Sequence, residues 1–298
     1  MKDILTIVFR LTVSCLMAAA VMGAAFIVTD KAKKHNEHVR EEKTMYGLLG
    51  YGARKPVPPT LALHQIYRYV ITDQGRQHIG YLLPTGREGK TEYTLVLLDL
   101  DGKMVSQQPT RLDGDQSREK ETRDRAVMEA IGPGKGLRFA DHTIVVTDSG
   151  KRVAYLLGGK FPGFKTFINV MLALDPQYAM LGLEVLEHEE DPGLGAEIEK
   201  NYFKNQFKGR SFDVLKGLQV VKEPLPEQYR QALEAQVTEE DAARIMGQYR
   251  AKNIYALTGA TISSRMLTDG VKGLVTKCAY RLDVLDRVLE EQKIAVSF

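Results

Sequence analysis

Leu11 to Thr29 is an uncharged run, and Ile4 to Phe9 extends it past a single Arg10. A helix needs about 20 apolar residues to cross the hydrocarbon core of a bilayer. The run is too long for a signal-peptide core, so it predicts an uncleaved, single-span membrane anchor over residues 1–30. Residues 31–60 are charged and then Pro-rich (Lys55-Pro56-Val57-Pro58-Pro59), which predicts a stalk. Beyond residue 60 the pattern changes to short apolar runs punctuated by Asp and Gly, the signature of strands joined by tight turns. Thr94–Leu100 and Phe167–Leu174 are the longest of these, and Leu181–Leu186 and Gly217–Lys222 read as further strands.

Two stretches of this strand pattern resemble each other. Val70-Ile71-Thr72-Asp73-Gln74-Gly75 is echoed by Val145-Val146-Thr147-Asp148-Ser149-Gly150. One residue of slippage then aligns Tyr81-Leu82-Leu83 with Tyr155-Leu156-Leu157. The same offset aligns Gly89 with Gly163, Val96 with Val170, Leu98 with Leu172, and Leu100-Asp101 with Leu174-Asp175. A duplicated β-meander accounts for this, its copies either stacked sheet on sheet or extending one sheet. Ser106 to Arg125, between the copies, is polar and charged and reads as a solvated loop leading into a short helix over Arg123–Ile131. Only the second copy is expected to continue into a fourth strand.

From residue 198 the period becomes helical. Ile198–Phe207 carries Tyr202, Phe203 and Phe207 on an amphipathic pattern, and Leu225–Arg250 is largely helix with Thr238 as a cap. Past Ser263, the residues Met266, Val271, Leu274, Val275, Leu282, Leu285 and Leu289 make one apolar stripe, on a helix expected to be interrupted at Gly270 and Gly273. The fold class is therefore α+β: a transmembrane helix, then twisted antiparallel sheet with helices on one face.

Composition narrows the function classes. A formal net charge of +3 over 298 residues is too near neutral for a nucleic-acid surface. Cys15 lies in the apolar N-terminus and Cys278 in a helix, an arrangement that argues against a disulfide and offers no metal spacing. No Walker loop, CxxC pair or nucleophile–His–Asp arrangement is present. His188 reads as a solvated loop residue.

The chemistry concentrates in Thr258-Gly259-Ala260-Thr261-Ile262-Ser263-Ser264, where an apolar run (Ile254 to Leu257) meets a helical pattern. A turn through Gly259 into a helix offers free backbone N–H groups and the positive end of a dipole, a seat for phosphate. The same hydroxyls also suit a plain helix cap. Upstream, Glu190-Asp191-Pro192-Gly193-Leu194-Gly195 is a tight loop whose backbone can lie against a flat ring, with Leu194 as the apolar contact.

These two stretches resemble the covalent FMN-binding domain found in the flavin-carrying subunit of the Rnf electron-transport complex. A related domain occurs in the corresponding subunit of the sodium-translocating NADH:quinone reductase. That family has Ser-Gly-Ala-Thr-x-Thr-Ser and, before it, Glu-Thr-Pro-Gly-Leu-Gly. Here Thr258 stands for the Ser, Ser263 for the second Thr, Asp191 for the Thr of the loop, and Tyr255 where the family commonly has Asp. The resemblance implies FMN held by a phosphodiester at Thr261, with Thr258, Gly259, Ala260, Ser263, Ser264, Glu190, Gly193, Leu194 and Gly195 around it. It implies an electron carrier, not catalytic alone, in an ion-translocating ferredoxin:NAD complex. The neighbouring reading is the quinone-reductase subunit. Implied partners are other membrane subunits and a flavin transferase using FAD. Implied placement is the bacterial cytoplasmic membrane with the soluble part outside, although Lys31, Lys33 and Lys34 on the far flank tilt the charge rule the other way. The expected organisation is anchor (1–30), stalk (31–60), first repeat with insertion (61–139) and FMN-binding domain (140–298). Two other classes fit less of the pattern: a membrane-anchored flavin regulator, and a flavin-free anchored interaction module.

Overall fold

The computed structural model describes residues 2–53, 55–86 and 92–298. The chain forms two compact units, Met1–Gly47 and Leu48–Phe298. Helix α1 (Lys2–Leu48) contains the apolar span Thr6–Phe26, whose 21 residues reach about 31 Å at 1.5 Å per residue. The helix continues where a stalk was expected from residue 31. Residues 31–46 lack Gly and Pro and are rich in Lys, Glu and Arg, which are good helix formers. The helix ends at Leu48, and the described residues between 49 and 60, Pro56–Pro59 among them, are not helical.

The second unit is built on one eight-stranded antiparallel sheet. Its strands are β1 (Leu61–Asp73), β2 (Arg76–Pro84), β3 (Glu92–Leu98), β4 (Met104–Asp113), β5 (Gly136–Asp148), β6 (Lys151–Pro162), β7 (Phe167–Leu174) and β8 (Met180–Glu187). Their spatial order is β4-β3-β2-β1-β5-β6-β7-β8, two four-stranded meanders joined edge to edge through β1 and β5. The first hairpin of each turns on two left-handed residues, Gln74 and Gly75 in one and Ser149 and Gly150 in the other. That backbone matches the strand twist, and glycine takes it without steric cost.

The duplication is real, but the sequence alignment beyond the first hairpin is displaced by two residues. The ladder puts Ile79 opposite Val70 and Tyr155 opposite Val145. It puts Met104 opposite Leu98 and Met180 opposite Leu174, each just past a register shift. The structural counterparts are thus Ile79 and Tyr155, Val96 and Leu172, and Leu98 and Leu174. A two-residue shift keeps every side chain on its own face, so the apolar alternation scores well in either alignment. The bulge between Val146 and Thr147 supplies the extra residue that sequence matching placed wrongly. Gly89 lies outside the described residues.

The first copy also has its fourth strand, β4, where a solvated loop was expected. As an edge strand it shows alternating exposure and buries only Leu112, so polar residues and Pro109 suit it. The copies diverge after this strand. Helix α2 (Lys120–Ile131) packs Val127 and Ile131 against Tyr69, Leu82, Leu95 and Leu97 on one face of the first meander.

The other face, across both meanders, is covered by later elements. These are α3 (Asn201–Lys204) between two 3-10 turns, α4 (Phe212–Gly217), β9 (Val220–Val221), β10 (Ile254–Tyr255) and α7 (Thr261–Glu291), whereas α5 (Glu227–Leu233) and α6 (Glu239–Tyr249) pack on one another around Tyr229 and Tyr249 in a separate cluster. The helix expected over 198–207 is broken into three short pieces, although Phe203 and Phe207 do enter the core. The helix expected over 225–250 divides at Ala235, a left-handed residue, and restarts at Thr238, whose hydroxyl accepts the Asp241 N–H at 3.2 Å. The two-residue β9 pairs in parallel with β10.

α7 spans 31 residues, about 46 Å, without a break. Leu267, Val271, Val275, Leu282, Leu285 and Leu289 bury against Tyr81, Val96, Tyr155, Leu157 and Leu172, each fully buried aliphatic side chain contributing about 1.5–3 kcal/mol. Gly270 does not interrupt it. The phenyl ring of Phe161 packs directly on that glycine, so the missing side chain serves close approach of helix and sheet.

Candidate functional site

β10 feeds a turn that opens α7. Gly259 is left-handed (φ 75°), and Ala260 precedes the first helical residue without a side-chain cap. The hydroxyl-rich stretch therefore does not cap the helix as Ser and Thr usually do. Ser264 is fully buried; its Oγ donates to Ala260 O at 2.9 Å and accepts the Leu257 N–H at 3.0 Å, which ties the turn to the helix. Ser263 is also buried, and its hydroxyl donates to the Glu190 carboxylate. These two are organisers of the site with no hydroxyl to spare.

Thr261 differs from them. It is half-buried at the first position of α7, and its hydroxyl has no hydrogen-bond partner among the described residues. Thr258 and Gly259 are exposed. The start of a long uncapped helix, with unpaired N–H groups and the positive dipole end, favours an anion beside Thr261.

Glu190 unites the site. It is only 5% exposed. One oxygen accepts the Phe164 N–H at 2.7 Å and the Lys165 N–H at 3.3 Å, and the other accepts from Ser263. Its own N–H donates to His188 Nδ1 at 3.2 Å, so His188 serves the loop. Gly163 and Gly195 both press on this carboxylate: a Cβ on either would collide with it. Gly195 is thus required for packing, whereas Gly193 is required for its left-handed backbone (φ 74°).

The two loops singled out in the sequence meet. A Cβ on Gly259 would lie 2.9 Å from Leu194 Cδ2, so Leu194 rests on the turn before Thr261. Leu194 remains 46% exposed, and Phe164 (58%) and Ile262 (51%) are exposed nearby in the chain segments that Glu190 draws together. At the rim, Lys165 Nζ pairs with Asp191 Oδ1 at 2.5 Å, and this hydrogen-bonded ion pair holds the lysine pKa above its ordinary value. An unengaged hydroxyl at a helix start, a glycine that admits close approach and flanking apolar side chains fit a tethered phosphate bearing a flat ring.

Sequence reasoning missed three contributors. Phe164 and Lys165 supply backbone donors, which side-chain identity does not advertise. Gln206, buried, brackets Tyr255 by donating to its carbonyl at 3.2 Å and accepting its N–H at 2.8 Å, thereby extending β10 with a side chain. Tyr255 itself is buried edge-on against Tyr229 and Tyr249, 6.3 and 6.2 Å between centroids. It is a packing residue, which explains an aromatic there. Among the described residues no cluster of His, Cys, Asp or Glu converges as a metal site.

Residues 163–276 match the family model for the FMN-binding domain, a range that contains both loops. The chain is 31% identical over 125 residues to the G subunit of the proton-translocating ferredoxin:NAD(+) oxidoreductase complex of Clostridium ljungdahlii, covering 42% of this chain and 53% of that one. It thus spans about half the length of this curated relative. Among solved structures, NqrC of Shewanella oneidensis is 21% identical, with 46% of this chain and 56% of that one covered and a TM-score of 0.34. The C subunit of the Na(+)-translocating NADH-quinone reductase from Parabacteroides distasonis is 19% identical, with 65% and 75% covered and a TM-score of 0.34.

Proposed function

We propose that this chain, whose residues 163–276 match the FMN-binding domain, is a flavin-carrying electron-transfer subunit of a membrane-bound redox complex, with FMN linked to Thr261. The observation that carries the proposal is the contrast among the hydroxyls: Ser263 and Ser264 are buried and engaged, and Thr261 is unengaged at the helix start. In the linking step the Thr261 oxygen bonds to the flavin-bearing phosphorus of FAD, the hydroxyl proton leaves and AMP departs. A flavin transferase is the partner this requires.

Bound FMN supplies one-electron chemistry at its ring; the protein's part is to hold and shield it. The N-terminus of α7 offsets the single negative charge of the phosphodiester. Leu194, pinned on Gly259, gives the ring an apolar seat. Tethering keeps the carrier from losing its cofactor between redox partners, here other membrane subunits of a ferredoxin:NAD-type complex or, in the second reading, of a quinone reductase. The span Thr6–Phe26 anchors it in the cytoplasmic membrane, with the flavin domain on the outer side.

The test is a denaturing gel of protein made together with a flavin transferase and viewed under ultraviolet light. Wild type fluoresces, Thr261→Ala is dark, Thr261→Ser retains part of the signal, and Thr258→Ala weakens it. Fluorescence persisting in Thr261→Ala overturns the assignment. A dark wild type supports the flavin-free interaction module instead.

A further inference from the structure

We propose that Phe164 is a flavin-contacting residue, forming the wall of the site opposite Leu194; the inference rests on the flavin reading above. Phe164 lies in the turn between β6 and β7, closed by the Gly163 N–H donating to Thr166 O at 2.6 Å. Its main chain is fixed with unusual care. The N–H donates to the buried Glu190 at 2.7 Å, and Gly163 lacks the Cβ that would push that carboxylate away. The second Glu190 oxygen holds Ser263, in the same first turn of α7 as Thr261. One carboxyl group therefore sets the distance between the Phe164 backbone and the attachment turn.

The ring of Phe164 is 58% exposed, whereas Phe161 and Ile168 on either side of the turn are buried. A lone exposed aromatic needs no explanation. This one stands beside a phosphate seat, its backbone held by a buried charge, and the FMN-binding match begins at the residue before it. Leu194 is the second exposed apolar group that Glu190 positions, through the loop from Glu190 to Gly195. A planar, largely apolar tricycle linked at Thr261 has these two side chains within its neighbourhood, and an aromatic face offers it offset stacking. Glu190 is then a positioning residue, acting through the Phe164 backbone and Ser263.

The chain contains no tryptophan, so Phe164→Trp introduces a single indole. An indole in contact with an isoalloxazine gives an electron to the excited flavin and takes it back, quenching emission with no net redox change. Flavin-loaded Phe164→Trp is expected to emit several-fold less than wild type. The comparison protein is Tyr280→Trp, exposed on α7 about 28 Å along the helix from Thr261, and its emission should match wild type. In Phe164→Ala the covalent flavin signal on a denaturing gel stays, while iodide quenching in the native protein rises severalfold. Loaded Phe164→Trp emitting like Tyr280→Trp, together with unchanged iodide access in Phe164→Ala, overturns the inference and leaves the flavin reading standing. A wild type with no flavin overturns both. Thermal melts of each variant confirm that the fold is retained, as expected for an exposed ring.

Discussion

The phenyl ring of Phe161 occupies the space that a side chain on Gly270 would need. Strand β6 and helix α7 meet there through that ring alone, laid on the bare backbone of Gly270. Gly270→Ala should therefore destabilise the domain by about 1–3 kcal/mol through overpacking, even though alanine is favoured in a helix by about 1 kcal/mol. Gly273 meets only open space, and Gly273→Ala should stabilise by up to about 1 kcal/mol. Urea midpoints of the two variants should move in opposite directions; a shared direction would contradict the packing.

Removing the Glu190 carboxylate leaves the Ser263 hydroxyl and two backbone N–H groups without an acceptor. Glu190→Ala should cost about 2–3 kcal/mol, and Glu190→Gln less, since its amide oxygen still accepts the Phe164 N–H. Hydrogen exchange at the Phe164 amide should accelerate in Glu190→Ala and little in Glu190→Gln. An unchanged rate in both would remove Glu190 from its role.

Burial pushes the Cys278 thiol and the Tyr81 phenol each up to about 12, from ordinary values of 9.0 and 10.0. The folded protein keeps protons that the unfolded chain gives up, so this contribution is complete below pH 9 and drains away as pH rises toward 12. Cys278→Ala should flatten the decline between pH 9 and 10 in denaturant midpoints. His64 runs the opposite way. Burial lowers its pKa, so its contribution holds above pH 6.5 and is lost as pH falls, and His64→Gln should flatten the acid side.

Asp99 and Asp175 build the same turn in the two meanders. Asp99 Oδ1 accepts the N–H groups of Asp101 and Lys103, and Asp175 Oδ1 those of Gln177 and Ala179. The left-handed position is Gly102 in one and Tyr178 in the other. Asp99→Ala and Asp175→Ala should each cost about 1 kcal/mol, and the double variant should be additive because the turns share no partners. Thermal melting of the three proteins checks this.

Deleting residues 1–30 should release a folded, soluble protein, since sheet and site lie downstream. Fractionation of the truncated chain with membranes, in the absence of partners, would refute the single anchor.

Much of this was legible because it rests on local chemistry. The left-handed Gln74-Gly75 and Ser149-Gly150 turns, the Thr238 cap and the Gly259 turn each follow from a few adjacent residues. The register between copies was not legible, since Tyr81 and Ile79 share a face and only the bulge after Val146 separates the alternatives. β4 was hidden because an edge strand has little apolar surface to show. The hydroxyl link from Ser263 to Glu190 crosses 73 positions, and the other donors to that carboxylate are the backbone N–H groups of Phe164 and Lys165, which leave no trace in residue type.

α7 follows every strand in the sequence, yet it is the longest element packed on one face of the sheet. During synthesis Tyr81, Val96, Tyr155 and Leu172 stay uncovered until residues 261–291 emerge, a window in which chaperone capture competes with collapse. Thr261 is the first residue of that helix. A ribosome that stalls before α7 leaves a chain with neither a sealed core nor a place for flavin, so on the flavin reading above the yellow colour would mark chains that have been completed.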